Sequence, residues 1–260
     1  MKASSSSSSS AFHVVPKYFF LSFLLFTPLL FLLLSSSSSS TSTSPSLPPD
    51  IKIRPGYSSY DSYLQRQLNK TLNPKLRQIW RTRDWDRKIP VFSSFFLRLQ
   101  SDHLLSNSSK ALCIGARVGQ EVEALRRIGV SDSVGIDLVP YPPLVLKGDF
   151  HSQPFPDDTF DFEFSNVFDH ALYPARFVGE IERTLRPGGV GVLHVAIDKK
   201  ADKYSANDLL SVKGLISLFR RSEVVRVRKI DGFGLDTEVV FRKNKKKQGS
   251  RFFFSFFQWR

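Results

Sequence analysis

Apolar and polar positions divide this chain into stretches of different period. Tyr18 to Leu34 is an unbroken apolar block without a charge, flanked by serine runs and followed by a Ser/Pro-rich segment up to residue 56. From Tyr57 apolar residues recur at helical spacing. Leu64, Leu68 and Leu72 mark one helix, which Pro74 breaks. Leu76, Ile79 and Trp80 mark a second, ending near Trp85 and Pro90. Phe92, Phe95, Phe96, Leu99 and His103 mark a third, closing at Leu104 and Leu105. From Lys110 the pattern changes to short apolar runs alternating with amphipathic segments. Ala111–Ile114 is a predicted strand ending at Gly115. Gly119 opens a helix with Val122, Leu125 and Ile128 on one face, and Gly129 stops it. Val134–Ile136 is a second strand, with Asp137 at its tip.

The alternation continues toward the C-terminus. Leu144–Leu146 predicts a third strand, followed by a turn at Gly148-Asp149. Phe160–Phe164 predicts a fourth, ending at Ser165-Asn166. Phe177–Leu185 reads as a helix stopped by Arg186-Pro187-Gly188-Gly189, and Val190–Val195 as a fifth strand. Asn207–Phe219 has helical amphipathicity. Val224–Ile230 and Thr237–Phe241 form a long-looped hairpin around Asp231-Gly232-Phe233-Gly234. Strand–helix alternation followed by a hairpin predicts a Rossmann-like α/β fold: a seven-stranded, mostly parallel sheet with an antiparallel C-terminal hairpin, preceded by N-terminal helices. The unit from Lys110 to Asp137, with a glycine turn after its first strand and an acid ending its second, has a nucleotide-binding layout.

Charge alters this picture mainly at the ends. The net charge is +13, and seven of the positive side chains lie in the last nineteen residues, which contain no acid. The body is therefore only mildly basic and does not demand nucleic acid as a partner. In the tail, residues 244–260, basic residues precede FFFSFFQW. That composition suits either contact with anionic lipid or a disordered end. The single cysteine, Cys113, excludes an internal disulfide and any cysteine-based zinc cluster.

The block at 18–34 reaches the lower length limit of a membrane-spanning helix, about 17 residues. Three readings fit it: a type II signal anchor, a cleaved signal peptide, and an organellar transit peptide. The first is favoured by the continuous apolarity. Lys2 and Lys17 precede the block, and the following flank is uncharged until Asp50. Positive residues mark the cytosolic side, which puts residues 1–17 in the cytosol and the domain in the lumen of the endoplasmic reticulum or Golgi. Residues 35–56 read as a flexible stalk, 57–105 as a helical lead-in and 106–243 as the α/β domain. Two glycosylation sequons, Asn69-Lys-Thr71 and Asn107-Ser-Ser109, follow the block.

Other candidate chemistry is sparse. Asp169-His170 follows the fourth strand and reads either as a general base or as a loop cap. Asp157, Asp158, Asp161 and Glu163 read as a turn and the solvent side of a strand, with no metal site expected. His151 reads as structural. The lead-in helices either cover a sheet face or form a lid, and in the second case Trp80, Arg83, Asp84 and Trp85 are the residues to watch.

Four landmarks together give a resemblance to the class I S-adenosylmethionine-dependent methyltransferases, in particular the type-11 group and its membrane-anchored plant members. They are the turn Cys113-Ile-Gly115-Ala116-Arg117-Val-Gly119, Asp137 at the end of strand two, Gly148-Asp149-Phe150 with the PFPDDTFDFEFS segment, and the LRPGG turn from Leu185 to Gly189. The resemblance covers residues 110–242. It implies that Gly115, Ala116, Arg117 and Gly119 bring backbone to the methionine part of S-adenosylmethionine. It also implies that Asp137 binds the ribose hydroxyls and that Asp149 and Phe150 meet the adenine. Ser165 and Asn166 would then line the methyl-transfer site. The chain departs from the family pattern at Cys113, where an acid is usual, and at Arg117, where a glycine is usual. Either Arg117 pairs with Glu121 and binding is retained, or the chain is a catalytically silent, methyltransferase-like binding or scaffold protein at a membrane. The resemblance names no methyl acceptor.

Overall fold

The computed structural model describes residues 47–197 and 202–245. The apolar block at 18–34, most of the Ser/Pro segment and the tail beyond residue 245 lie outside them. Among the described residues, no helix is long and apolar enough to cross a membrane.

Three helices precede the α/β unit: α1 (Tyr60–Thr71), α2 (Pro74–Arg81) and α3 (Arg83–Ser101). Local chemistry sets their starts. Ser59 and Ser62 exchange side-chain and backbone bonds as a capping box at α1. Asn73 caps α2, and Pro74 stands in its first turn, where a missing N–H costs nothing. Helix α3 corrects the expectation of a break near Pro90, because it runs through that residue. An interior proline costs about 3 kcal/mol. Against that, α3 buries Ile89, Phe92, Phe95, Phe96 and Leu99, each worth about 1.5–3 kcal/mol. Phe96 meets Phe164 edge to face at 5.1 Å, which fixes α3 across the sheet.

The leucine spacing in α1 marks only the border of its inward face: Leu64 packs on the Tyr63 cluster and Leu68 is half-buried. Leu72 is 55% exposed, whereas Tyr63, Gln67 and Thr71 are buried. The inward stripe of α1 is aromatic and polar because it borders a cavity rather than a dry core.

The α/β unit follows with β2 (Ala111–Ile114), α4 (Gln120–Arg127), β3 (Ser133–Asp137), β4 (Val145–Lys147), β5 (Phe160–Ser165), α5 (Pro174–Thr184), β6 (Leu185–Val195), β8 (Ser222–Gly232) and β9 (Leu235–Lys243). The seven strands are ordered β4-β3-β2-β5-β6-β9-β8. The first five are parallel, and β9 runs antiparallel to both β6 and β8. Side chains alternate across the central strand. Ala111 and Cys113 join the core under α3 and α4, while Leu112 and Ile114 join the core under α5. Strand order turns at β2, so the crevice beyond the ends of β2 and β5 is where such a sheet receives a ligand.

Three further expectations change. The LRPGG segment is the opening of β6, which starts at Leu185, rather than a turn before it. The hairpin loop is only two residues, Phe233 and Gly234, both at positive φ (57° and 96°), a two-residue turn that matches strand twist. The amphipathic segment 207–219 is not one helix. Asn207–Leu209 forms β7, which pairs antiparallel with β1 (Ile51–Ile53), and only Val212–Ile216 is helical (α6). Residues 51–53, read as stalk, are thus a strand. Arg54 and Asp208 pair at 2.8 Å beside this ribbon, and the Asn207 amide donates to the carbonyls of Phe168 and Ala171 at 2.8 Å. These long-range partners outweigh the local helical period.

Candidate active site

The turn after β2 is tied to the end of β3. The N–H groups of Gly115 and Ala116 both donate to the Ile136 carbonyl, at 2.9 and 3.0 Å. Arg117 N–H donates to Asp137 Oδ2 at 2.9 Å, and Val139 N–H reaches Oδ1 at 3.3 Å. Gly115 has φ +72°, and a Cβ there would lie 2.4 Å from Val167 Cγ2. Only glycine fits that turn. Arg117 has φ +52°, a left-handed conformation costing about 1–2 kcal/mol for a residue with a Cβ. The Asp137 carboxylate holds it there. Burial pushes the Asp137 carboxyl upward, and those backbone N–H groups oppose the rise only in part.

A cavity of about 260 Å³ opens above these strand ends, near the lower limit of ligand pockets, about 300 Å³. Eight of the sequence candidates line it: Gly115, Arg117, Asp137, Asp149, Phe150, Asn166, Asp169 and His170. Three others serve the wall instead. Ala116 packs in the core, Gly119 caps α4 against Leu144, and Ser165 Oγ donates to the Ile114 carbonyl at 3.2 Å. Ser165 is thus a strut between strand ends, not a lining group.

Asp149 is held by the helical lead-in. Its carboxylate accepts the Tyr60 hydroxyl from α1 and the His151 backbone N–H at 2.8 Å. His151 Nε2 accepts from Tyr173 N–H at 3.2 Å, which puts the ring proton on Nδ1, 2.8 Å from the Tyr60 oxygen. The proton chain therefore runs from His151 through Tyr60 to Asp149. Burial pulls the Asp149 carboxyl upward, but the hydrogen bonds from His151 and Tyr60 outweigh it and leave it below the ordinary range. Burial and the Asp149 contact push the Tyr60 hydroxyl up. His151 is structural, as expected, and its partners come from two distant elements.

Lys70, Trp80 and Lys88 reach the same cavity from α1, α2 and α3. Of the four lid candidates, Trp80 lines it. Arg83 and Asp84 form an ion pair at 2.9 Å, and Trp85 packs on the core. Burial and the like charge of Arg117 hold the Lys88 ammonium below its usual value. Arg117 does pair with Glu121, Nη2 to Oε1 at 3.2 Å. Cys113 points into the core, where burial raises its thiol well above the ordinary value, so it is no nucleophile.

At the other end, His170 Nδ1 lies 3.2 Å from the Tyr204 carbonyl and Nε2 lies 3.2 Å from Lys70 Nζ. Burial holds this imidazole below its ordinary value, and the charge of Lys70 adds to the effect while Asp169 opposes it. Its second nitrogen is therefore already engaged by a cation. Asp169 accepts from the Ser205 hydroxyl. Both residues border the cavity, and neither is a free base. The acids at 157, 158, 161 and 163 do not converge, and no His/Cys/Asp/Glu group suited to a metal occurs among the described residues. The α1 contributors escaped the sequence reading because the leucines at 64, 68 and 72 dominate that helix. The available signal was Tyr60, Tyr63, Gln67 and Lys70, also at helical spacing.

Residues 112–193 match the family described as "Methyltransferase domain". No curated protein matches the chain. Among solved structures, the 1,6-didemethyltoxoflavin-N1-methyltransferase of Burkholderia thailandensis, which has bound S-adenosylhomocysteine, is 15% identical with a TM-score of 0.54, covering 75% of this chain and 95% of its own. An S-adenosylmethionine-dependent methyltransferase of Mesorhizobium loti is 14% identical with a TM-score of 0.44, covering 55% and 95%. One from Methanosarcina mazei is 16% identical with a TM-score of 0.43, covering 56% and 97%. Residues 112–193 are therefore similar to that family, and they are set in a fold that the Burkholderia enzyme shares.

Proposed function

We propose that this protein is an S-adenosylmethionine-dependent methyltransferase. The observation that carries the reading is convergence: Gly115, Arg117, Asp137, Asp149, Phe150 and Asn166, from four separate strand ends, border one cavity at the point where strand order turns. The cofactor is S-adenosylmethionine, and the residues present fit it. Asp137 and Asp149 offer carboxylate acceptors for ribose hydroxyls and an exocyclic amine, and Phe150 offers an aromatic face. Arg117 Nε and Glu121 Oε2 are buried polar atoms without a hydrogen-bond partner, and Glu121 is bonded to the cavity-lining Arg117 and Asn166.

The cofactor, when bound, supplies an electrophilic methyl group. The chain's own contribution is alignment and exclusion of water, which can account for much of such a rate. The cap formed by α1 to α3 closes over the strand ends. Asn166 and the Asp169-His170 turn then border the space left for the acceptor. His170 is a positioning group here, because Lys70 already occupies its Nε2.

The protein is proposed to sit in a membrane through residues 18–34, with the domain in the lumen of the endoplasmic reticulum or Golgi. The basic, aromatic tail from residue 244 would meet anionic lipid. Nucleic acid is not a partner in this reading. Calorimetry on the full chain in mild detergent should show S-adenosylmethionine binding that Asp137→Ala abolishes, and no heat from the unaltered chain would overturn the cofactor reading. Topology has a separate test. Asn107 lies in an exposed turn, whereas Thr71 of the other sequon is buried and bonded to the Gln67 carbonyl. A luminal domain should carry a glycosidase-sensitive glycan lost in Asn107→Gln, and protease access to the domain from the cytosol would reverse the orientation.

A further inference from the structure

Three consecutive polar side chains of the turn and helix after β2 leave an atom unpaired in buried surroundings: Arg117 Nε, Gln120 Oε1 and Glu121 Oε2. Buried polar atoms are nearly always paired, so three orphans at one place call for a partner. Glu121 is 2% exposed. Its other oxygen accepts from Arg117 Nη2 at 3.2 Å and from Asn166 Nδ2 at 3.1 Å, and both donors line the cavity. Lys88, from α3, brings a second buried cation to the same wall, held at 3.2 Å by Asp84. Trp80 lies under the Arg117 guanidinium, 5.8 Å from its ring centre, and its carbonyl takes the Gln120 amide at 2.9 Å.

Two cations, Arg117 and Lys88, stand on the cavity wall, and directly behind Arg117 and Asn166 lies one acid, Glu121, whose second oxygen is unfilled. A simple anion would leave Glu121 unsatisfied, and a simple cation would leave Arg117 unsatisfied. A zwitterion satisfies both. We propose that Arg117, Lys88 and Glu121 are the subsite for the α-amino-acid end of S-adenosylmethionine. Arg117 and Lys88 take the carboxylate, and Glu121 takes the α-ammonium. This rests on the cofactor reading above and deepens it. It also gives a role to the arginine at φ +52°, where glycine would sit without strain. The positive charge of Arg117, which would oppose a sulfonium alone, is directed at the carboxylate. The acid absent from position 113 is supplied from the first turn of α4.

The test uses the full chain in mild detergent and three probes measured by calorimetry. They are S-adenosylmethionine, decarboxylated S-adenosylmethionine, and 5′-methylthioadenosine, which lacks the amino-acid end. Glu121→Gln should weaken the first two by about tenfold or more, the scale of one charge-assisted hydrogen bond, and leave the third within about twofold. Arg117→Met should weaken S-adenosylmethionine by a similar factor and leave the decarboxylated form unchanged. Glu121→Asp, which keeps the charge, should recover part of the loss and guards against a folding defect in the amide variant. Equal weakening of all three probes by Glu121→Gln would overturn the subsite and make the residue a structural strut. Unchanged S-adenosylmethionine binding in that variant would overturn it too. If the unaltered chain binds methylthioadenosine and gains nothing from the amino-acid end, the subsite falls while nucleoside binding stands. If it binds none of the three, the cofactor reading falls with it.

Discussion

Asp137 and Asp149 do similar work from different parts of the molecule. Both lie at or just beyond a strand end, and both present a carboxylate to one cavity. Asp137 is held by Arg117 N–H and Val139 N–H, groups no more than twenty residues from it in the chain. Asp149 is held by Tyr60, 89 residues earlier in the chain, and by His151, whose ring Tyr173 in turn orients. Burial wins at Asp137 and raises its carboxyl, whereas hydrogen bonding wins at Asp149 and lowers it. One acid belongs to the fold alone. The other depends on the helical cap being seated, so the cap is part of the site and not only a cover.

The largest effect should come from breaking the local acid. Asp137→Ala leaves two backbone donors without partners, costing about 1–3 kcal/mol each, and should abolish S-adenosylmethionine binding. Denaturant titration and calorimetry measure the two losses, and a variant that still binds would mean the turn holds its shape without its carboxylate. Next is Gly115→Ala. A Cβ there meets Val167 at 2.4 Å with φ at +72°, so a stability loss of about 2–4 kcal/mol is expected in the same titration. A loss under about 1 kcal/mol would show that β2 and the Val167 segment yield easily.

Tyr60→Phe sharpens the contrast from the cap side. It removes one hydrogen bond to a charged acceptor, worth about 1.5–3 kcal/mol. Hydrogen exchange should speed up in α1 while β2 and β3 stay protected, and cofactor affinity should fall less than in Asp137→Ala. Uniform acceleration across the sheet would argue against a separately seated cap.

The smallest effect is in the slope of stability with pH. A carboxyl lowered by folding, as at Asp149, contributes stability that is present above the ordinary value of 3.8 and lost as pH falls through its folded value. A carboxyl raised by folding, as at Asp137, is the reverse: stability is lost as pH rises from 3.8 through its folded value. Asp149→Asn and Asp137→Asn should therefore change the acid limb of the stability curve in opposite directions. Parallel changes would mean that the two carboxyls share one environment.

The amino-acid sequence by itself determined the alternation of strands and helices, the seven-stranded sheet with its terminal hairpin, and most of the residues that meet at the cavity. These follow from period, glycine placement and the polar residue ending each strand, all properties of short segments. Arg117 with Glu121, four residues apart at the start of α4, was legible for the same reason. The tertiary structure decided the rest. It turned α1 so that Tyr63 and Gln67 face inward, with leucine at 72 exposed. It carried α3 through Pro90 because the phenylalanine face repays the break, and it drew 51–53 and 207–209 into a ribbon. Only the folded chain joins Tyr60 to Asp149, Lys70 to His170, and Lys88 to the wall beside Arg117. Each of these contacts spans tens of residues, and what selects it is burial of a polar group beside a cavity. Local period records which side chains are apolar, but it carries no record of where a cavity will form.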